Sequence, residues 1–447
     1  MTPLNTLIAF NHDILIALLV VLLVVNSVPL WISIQFCRFR SAGLAQEARM
    51  LALPLPDDAE LPHVLVQVAA FNEGKLVNRV AEAIANLDWP KNRLHVQMLD
   101  DSTDDTTAFA AHAVEDLCKE GIDAILVHRH TRDGFKAGAL SAGLQGSDQE
   151  FICIVDVDYL PDPKFLRHCI GPLLRAPELA FVQARCVLRN GHENALTRAQ
   201  QRDQKAFAAE QAALCWSGHL VRFHGTCAIW RRLAIEDAGG WSGDTLGEDF
   251  DLSYRAYVRG WKGLYLSSVA VPGDFPAEFT DFRRQQFRWT KGAAEVALKV
   301  LPGLWRSRVR LADKAVATLL FCPVLYGPLI VAAVVTGVVD LAFGFALTWP
   351  LGLLAGLCAL TGISSSIMTL RSGEKQLDND LGLRELPEII FVTLLLALTF
   401  IANWAALFEA CFKRRSEYIR TPKKIADEMI MESMPNVEHF SKISPNP

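Results

Sequence analysis

Several features that would point to common function classes are missing from this sequence. Ten cysteines are present, at 37, 118, 153, 169, 186, 215, 227, 322, 358 and 411, yet no two stand as C-x-x-C. Neither a zinc module nor a dithiol redox motif is therefore indicated. There is no basic excess: the formal net charge over 447 residues is -5, which gives no footing for nucleic-acid binding. No internal repeat and no low-complexity tract interrupts the chain. No lysine or arginine precedes Arg38, so the basic n-region of a signal peptide is absent. The uncharged run Ile14 to Phe36, with Asp13 at its start, exceeds a signal h-region and is expected to stay as a membrane anchor.

The sequence does contain apolar runs, and hydrophobic residues make up 51% of the chain. Arg38, Arg40 and Arg49 follow the first run, which places the N-terminus outside and the chain beyond Phe36 in the cytoplasm. A second block, Ala312 to Leu370, holds two spans, with a turn near Asp340 to Pro350. A third run, Ile389 to Phe412, reads as one more span and carries only Glu409 as a charge. Three full C-terminal crossings would leave the tail outside, whereas Lys413, Arg414, Arg415, Lys423 and Lys424 argue for inside. One run is therefore expected to be broken, re-entrant or interfacial, or to hide an extra crossing.

Between these runs, roughly Pro54 to Phe275 has ordinary soluble composition. Strand-like runs (His63 to Ala70, Leu94 to Leu99, Ala124 to His128, Phe151 to Val155) alternate with helical ones (Leu76 to Leu87, Asp104 to Cys118, Lys136 to Leu144). This order predicts an α/β domain with a mostly parallel sheet covered on both faces. Cys153 and Cys186 fall inside apolar runs and read as small core residues. In such sheets ligands sit beyond the carboxyl ends of the strands.

Those ends are acidic. The second strand runs into Asp100-Asp101-Ser102-Thr103-Asp104, and the fourth into Asp156-Val157-Asp158. Helix capping accounts for one acid per end, Asp104 for instance, but not for a doubled aspartate after two apolar strands. Carboxylates crowded at strand tips repel unless a cation intervenes, and a hard divalent ion takes one or two of them plus substrate phosphates. Lys136, opening a predicted helix, is placed to face a diphosphate. Further on, Gly247-Glu248-Asp249 offers a carboxylate as a general base. Gln285-Gln286-Phe287-Arg288-Trp289 lies in an Arg-rich aromatic stretch expected to be an interfacial helix, with Phe279, Phe282 and Phe287 on lipid. Trp289 is a flat surface on which a sugar ring can rest.

These motifs, Asp101, Asp156-Val157-Asp158, Gly247-Glu248-Asp249 and Gln285 through Trp289, resemble the D, D-x-D, [TG]-E-D and Q-x-x-R-W series of membrane-bound family-2 glycosyltransferases. The similarity is to the cellulose-synthase and mannan-synthase-like superfamily, with likeness also to glucosylceramide synthases, and it covers roughly Pro62 to Lys424. The resemblance implies a GT-A fold, a Rossmann-like mixed sheet with helices on both faces, carried by transmembrane helices. It implies an inverting hexosyl transfer from a UDP- or GDP-sugar to a glycan or lipid acceptor. By motif, Asp101 would contact the base or ribose, and Lys136, Asp156 and Arg288 the diphosphate. Asp156 and Asp158 would hold Mg²⁺ or Mn²⁺, Asp249 would be the base, and Glu248, Gln285 and Trp289 would meet the acceptor.

The implied organisation is an anchor at 1–36, a catalytic domain at 54–275 and amphipathic interface helices at 276–311. A membrane region at 312–412 and a basic cytoplasmic tail at 413–447 complete it. The protein is expected in a membrane, a bacterial inner membrane on this reading, with its catalytic domain cytoplasmic and bilayer lipid as a partner. Glu417 to Lys423 resembles a gating segment of polymerising relatives. His224 stands where that family would have Asn, in a loop expected near the acceptor. A processive β-glucan or β-mannan synthase is the expected activity, and single-sugar transfer to ceramide or diacylglycerol is the alternative.

Overall fold

The computed structural model describes residues 3–343, 349–376 and 386–412. Helix α1 (Pro3–Leu51) opens the chain and does not stop with the apolar run at Phe36. Its last turns dock on the following domain, where Glu47 accepts the backbone N–H groups of Ser267 and Ser268 at 3.1 and 2.7 Å.

The domain begins with β1 (Val64–Ala70), α2 (Leu76–Ala85), β2 (Leu94–Asp100), α3 (Thr106–Lys119), β3 (Asp123–His128), α4 (Phe135–Gln145) and β4 (Phe151–Ile154). Valine-rich β1 is buried on both faces, as a parallel strand between helix layers must be. Its one central polar residue, Gln67, donates its side-chain amide to Gln97 Oε1 on β2 at 2.9 Å, while its own Oε1 is left without a partner among the described residues. The chain continues through α5 (Phe165–Arg175), β5 (Leu179–Leu188), α6 (Ala195–Trp216), β6 (Ala228–Arg231), α7 (Arg232–Asp237), α8 (Glu248–Val258) and β7 (Lys262–Gly273). The seven strands lie in the order β3-β2-β1-β4-β6-β5-β7. Every pairing is parallel except the two made by β6, which runs antiparallel to β4 and β5. On one face Phe181 stacks on Trp230 at 4.5 Å, and Phe223 meets the same indole edge-on.

Helix α9 (Phe279–Arg306) lies beside α8 and carries the Gln285 to Trp289 motif. Phe282, expected on lipid, is instead buried, Phe287 is half-buried, and Phe279 is exposed. Helix α9 packs against α8 and a later helix rather than lying free on lipid, so its apolar residues have protein to cover them.

After α10 (Leu311–Leu319) come α11 (Pro323–Ala342), α12 (Trp349–Lys375), α13 (Leu386–Ala402) and α14 (Trp404–Cys411). Among the described residues three helices are long and apolar enough to cross a membrane: Ala9–Leu51, Pro323–Ala342 and Pro350–Lys375. Helix α1 packs against both α11 and α12, which make no extended contact with each other. At one end Asp340 clasps α1, accepting from Asn11 at 2.6 Å and meeting His12 at 3.0 Å.

The third C-terminal run is not one helix. It breaks at Asn403 into the 17-residue α13 and the 8-residue α14. Both ends of α13 touch helices of the catalytic part: Glu388 pairs with Arg202 on α6, and Asn403 donates to Thr290 on α9 at 3.0 Å. The buried Lys291 on α9 then holds Glu409 of α14 at 3.0 Å. The segment Glu417 to Lys423 and the basic tail lie outside the described residues.

Candidate active site

The carboxyl ends of β1, β2 and β4, the N-terminus of α8 and one face of α9 open onto a cavity of about 420 Å³. Asp101, Lys136, Asp156, Asp158, Glu248, Asp249, Gln285, Arg288 and Trp289 all line it, although they are drawn from separate parts of the chain. Asp156 and Asp158 follow β4 directly, and the Asp156 N–H donates to Thr226 at 2.9 Å. Lys136, in the first turn of α4, donates to Asp156 and to the Gly225 carbonyl at 2.7 Å. Gly225 has φ +82, and a Cβ built on it would sit 3.2 Å from Asp249 Oδ2 and 3.7 Å from Lys136 Nζ. Any side chain there would wedge between the acid and the amine, so glycine answers both the backbone conformation and the close approach.

Seven acidic side chains but only three basic ones line the cavity. Burial raises the Asp249 carboxyl from 3.8 to about 7, and the neighbouring Glu248 adds to the rise. Glu248 is also raised, by burial, against the opposing pull of Lys136 and Arg288. Lys136 itself is raised despite burial, because Asp156, Glu248 and Asp249 surround it. A carboxylate poised near neutrality, next to an ammonium that stays charged, has the properties of a general base beside a leaving-group cation.

At the other end of the cavity, Asp101 is held by Arg129 through two bonds of 2.7 and 2.6 Å. The Arg132 guanidinium lies 3.4 Å from the centroid of the Phe71 ring. Behind them, burial would raise the Asp100 carboxyl, but hydrogen bonds from Ser102, Thr107 and His128 outweigh it and hold the group low. Asp104 accepts the Thr106 N–H at 2.9 Å in a turn just ahead of α3, but the N-cap position is Asp105, so the capping role expected of Asp104 is not the one it has. At the α9 side, Trp289 is 44% exposed and meets Phe275 edge-on, and the buried Gln285 Oε1 has no hydrogen-bond partner.

Sequence reasoning did not pick out Phe71, Glu73, Arg132, Asp203, Gln204 or Phe207, all of which line the cavity. Phe71 and Glu73 flank the Asn72 turn after β1, so the strand-end rule already pointed there. Asp203, Gln204 and Phe207 come from α6, whose alanine- and glutamine-rich text carries no motif.

Among the described residues no group of three or more His, Cys, Asp or Glu side chains is arranged to hold a metal by itself. Asp156 and Asp158 nonetheless fit a divalent ion completed by phosphate oxygens. They are hard oxygen donors on a wall with surplus negative charge, the donor set that Mg²⁺ or Mn²⁺ takes with a nucleotide.

Residues 62–292 match the family described as glycosyltransferase like family 2. Glucomannan 4-beta-mannosyltransferase 2 of Arabidopsis thaliana is 40% identical over 268 residues, covering 57% of this chain and 50% of that protein. Glucomannan 4-beta-mannosyltransferase 1 of Oryza sativa subsp. japonica is 37% identical over 266 residues, covering 57% of this chain and 51% of that protein. The chain spans about half the length of these curated relatives. They are plant proteins and lend a bacterial membrane no support. Among solved structures, a mannosyltransferase from Pyrobaculum calidifontis in complex with GDP-Man and Mn²⁺ superposes with a TM-score of 0.53 at 20% identity. It covers 77% of this chain and 99% of its own, a likeness of fold that makes the domain GT-A-like. With the family match taking in every strand of the sheet and the cavity-lining face of α9 as far as Gly292, the chain belongs to glycosyltransferase family 2.

Proposed function

We propose that this chain transfers a mannosyl group from GDP-mannose to the end of a β-linked glycan, with inversion at the anomeric carbon. The observation that carries the reading is Asp249 set across Gly225 from the Lys136–Asp156 pair, a base and a leaving-group cation facing one cavity. The choice of mannose and of a growing glycan leans on the names of the curated relatives. An acceptor hydroxyl oxygen attacks C1 of the sugar from the face opposite the diphosphate. Its proton passes to the Asp249 carboxylate, and the C1–O bond breaks with its electron pair left on the β-phosphate of GDP. Lys136 and Arg288 lie against that developing charge, the largest electrostatic term in such transfers. A divalent ion held by Asp156 and Asp158 supplies further charge neutralisation there when bound. Asp101 faces the nucleoside, and Glu248, Gln285 and Trp289 orient the acceptor.

The catalytic domain faces the cytoplasm in this reading, and α1, α11 and α12 are the spans. Helix α13 stays on the cytoplasmic face, since it starts against α6 and finishes against α9. The even number of C-terminal crossings then returns the tail to the side its lysines and arginines demand.

A second reading, single-sugar transfer to a membrane lipid, is favoured by one observation. Among the described residues the three proposed spans set α1 between α11 and α12, which make no extended contact with each other, a thin frame for a polymer channel. Purified protein in lipid nanodiscs, given labelled GDP-mannose or UDP-glucose with Mg²⁺ or Mn²⁺, distinguishes the two. Product that is large, water-soluble and cut by an endo-β-mannanase is expected. A lipid-extractable single-sugar product would replace the synthase reading with the second one.

A further inference from the structure

The proposed base, Asp249, sits in the first turn of α8, and that turn is not held by a cap of its own. Helix α8 starts from Gly247, which has no side chain to take up the free N–H groups there. The loop leading into it, Ser242 to Leu246, is fastened instead by α9. Glu295 accepts the Leu246 N–H at 2.8 Å. Lys299 holds Ser242 at 3.0 Å and Asp244 at 2.6 Å, and pairs with Asp251 of α8 at 3.0 Å. Gly292 packs so closely that a Cβ built on it would sit 3.0 Å from the Leu246 carbonyl carbon. The same loop also touches the start of α4: a Cβ on Gly243 would lie 2.8 Å from the carbonyl oxygen of Gly134, two residues before Lys136. The turn carrying the base and the helix carrying the leaving-group cation therefore share one packed loop.

Glu295 is in turn tied to the broken C-terminal run. Its other oxygen lies 4.0 Å from Lys291, one turn back on α9. Lys291 is fully buried and donates to Glu409 of α14 at 3.0 Å. A buried ammonium that loses one carboxylate is drawn to the next, because an uncompensated buried charge is costly. Glu409 thus keeps Lys291 from pulling Glu295 off the Leu246 N–H. We infer that Glu295, Lys291 and Glu409 are positioning residues for glycosyl transfer, a bracket by which α14 holds the turn that presents Asp249 to the acceptor. The inference rests on the assignment of Asp249 as the base. None of the three side chains lines the cavity, so their effect runs through the backbone of Leu246 and Gly247.

The test reads the turn and the chemistry separately, in nanodiscs, with whichever of GDP-mannose and UDP-glucose wild type turns over. Hydrogen exchange, measured on peptides ending either side of Leu246, follows the turn. The single-turnover transfer rate and the donor Kd follow the reaction. Glu295→Ala should speed exchange at Leu246 about fivefold to tenfold, the loss of one hydrogen bond. It should slow transfer about 10-fold to 100-fold with the donor Kd unchanged, the cost of a displaced catalytic group. Glu295→Gln, which keeps an oxygen for the Leu246 N–H, should recover most of both. Glu409→Gln should speed exchange and slow transfer in the wild-type background. It should do neither in the Glu295→Gln background, where Lys291 has no carboxylate to draw away. A merely structural Glu409 would cost the same in both backgrounds, and that result overturns the bracket. So does a Leu246 amide that exchanges at the wild-type rate in Glu295→Ala. Faster exchange with an unchanged transfer rate also overturns it, and Asp249→Asn then tells which premise failed. If that variant is inactive, the base stands and the bracket falls; if it is active, the base assignment itself is wrong.

Discussion

Asp249→Asn should make the protein inactive and more stable at once, by an amount that depends on pH. In the unfolded chain this carboxyl ionises near 3.8, and in the folded protein near 7. Between those values the unfolded chain has lost a proton that the folded one retains, so folding stability falls as pH rises from about 4 to about 7 and then levels off. The gap corresponds to an upper bound of about 4 kcal/mol above pH 7, and about 1.5 kcal/mol at pH 5. Asparagine carries no such penalty and relieves Glu248 of a neighbouring charge. At about 2 °C per kcal/mol, the variant should unfold about 8 °C higher than wild type at pH 8 and about 3 °C higher at pH 5. Both proteins are scanned side by side in detergent at one heating rate, so that irreversible loss affects them alike. Mannosyl transfer should fall between about 100-fold and 10,000-fold, the range for a lost general base, with GDP-mannose still bound. A variant no more stable at pH 8 than at pH 5 would refute the crowded-carboxylate account. One that turns over near the wild-type rate would remove Asp249 as the base.

Three further outcomes follow from other parts of the molecule. Asp158→Ala should abolish the gain in GDP affinity that Mg²⁺ or Mn²⁺ brings, measured by calorimetry with and without the ion, and an unchanged gain would take Asp158 out of the metal site. A variant in which exposed Cys37 and Cys118 are serine leaves exposed Cys411 as a label site, and an impermeant maleimide should reach it only from the cytoplasmic side. Labelling from the opposite side would mean that α13 crosses the bilayer. Gly373→Ala should cost about 1–3 kcal/mol, because the new methyl would sit 2.6 Å from the Ala206 backbone nitrogen and force α12 off α6. An unshifted unfolding temperature would show that the two helices separate freely.

The strands and the acidic tips were legible because both follow from local rules. A buried parallel strand needs a run like Val64 to Ala70, and ligands gather where such strands end. The break at Asn403 was half legible, since the tail charges required that one of the three C-terminal runs not be a plain crossing, without saying which or where. Phe282 was misread because an aromatic on an amphipathic helix has two apolar places to go, lipid or a neighbouring helix. Only the tertiary packing around α9 decides between them. Asp203 was not legible at all. Arg198, Arg202, Asp203 and Lys205 are one mixed-charge stretch in the text, and nothing local says that Arg202 turns to Glu388 while Asp203 faces a cavity.

That division of α6 bears on how an acceptor reaches the base. Arg202 and Lys205 bind Glu374 at the end of α12, and Arg202 also binds Glu388 at the start of α13. Asp203 and Phe207, on the same turns, line the cavity. A helix is stiff over so short a distance, so this wall is fixed in register with the membrane helices. In the proposed reading the nucleoside end is different: Phe71, Asp101 and Arg132 follow β1, β2 and β3, strands on the far side of the sheet from β7 and α1. On that reading the donor enters and leaves on the side away from the proposed membrane helices. In the proposed reading the acceptor meets the base on the side where the catalytic domain touches α12 and α13, the position that either a polymer leaving the site or a lipid headgroup entering it would require.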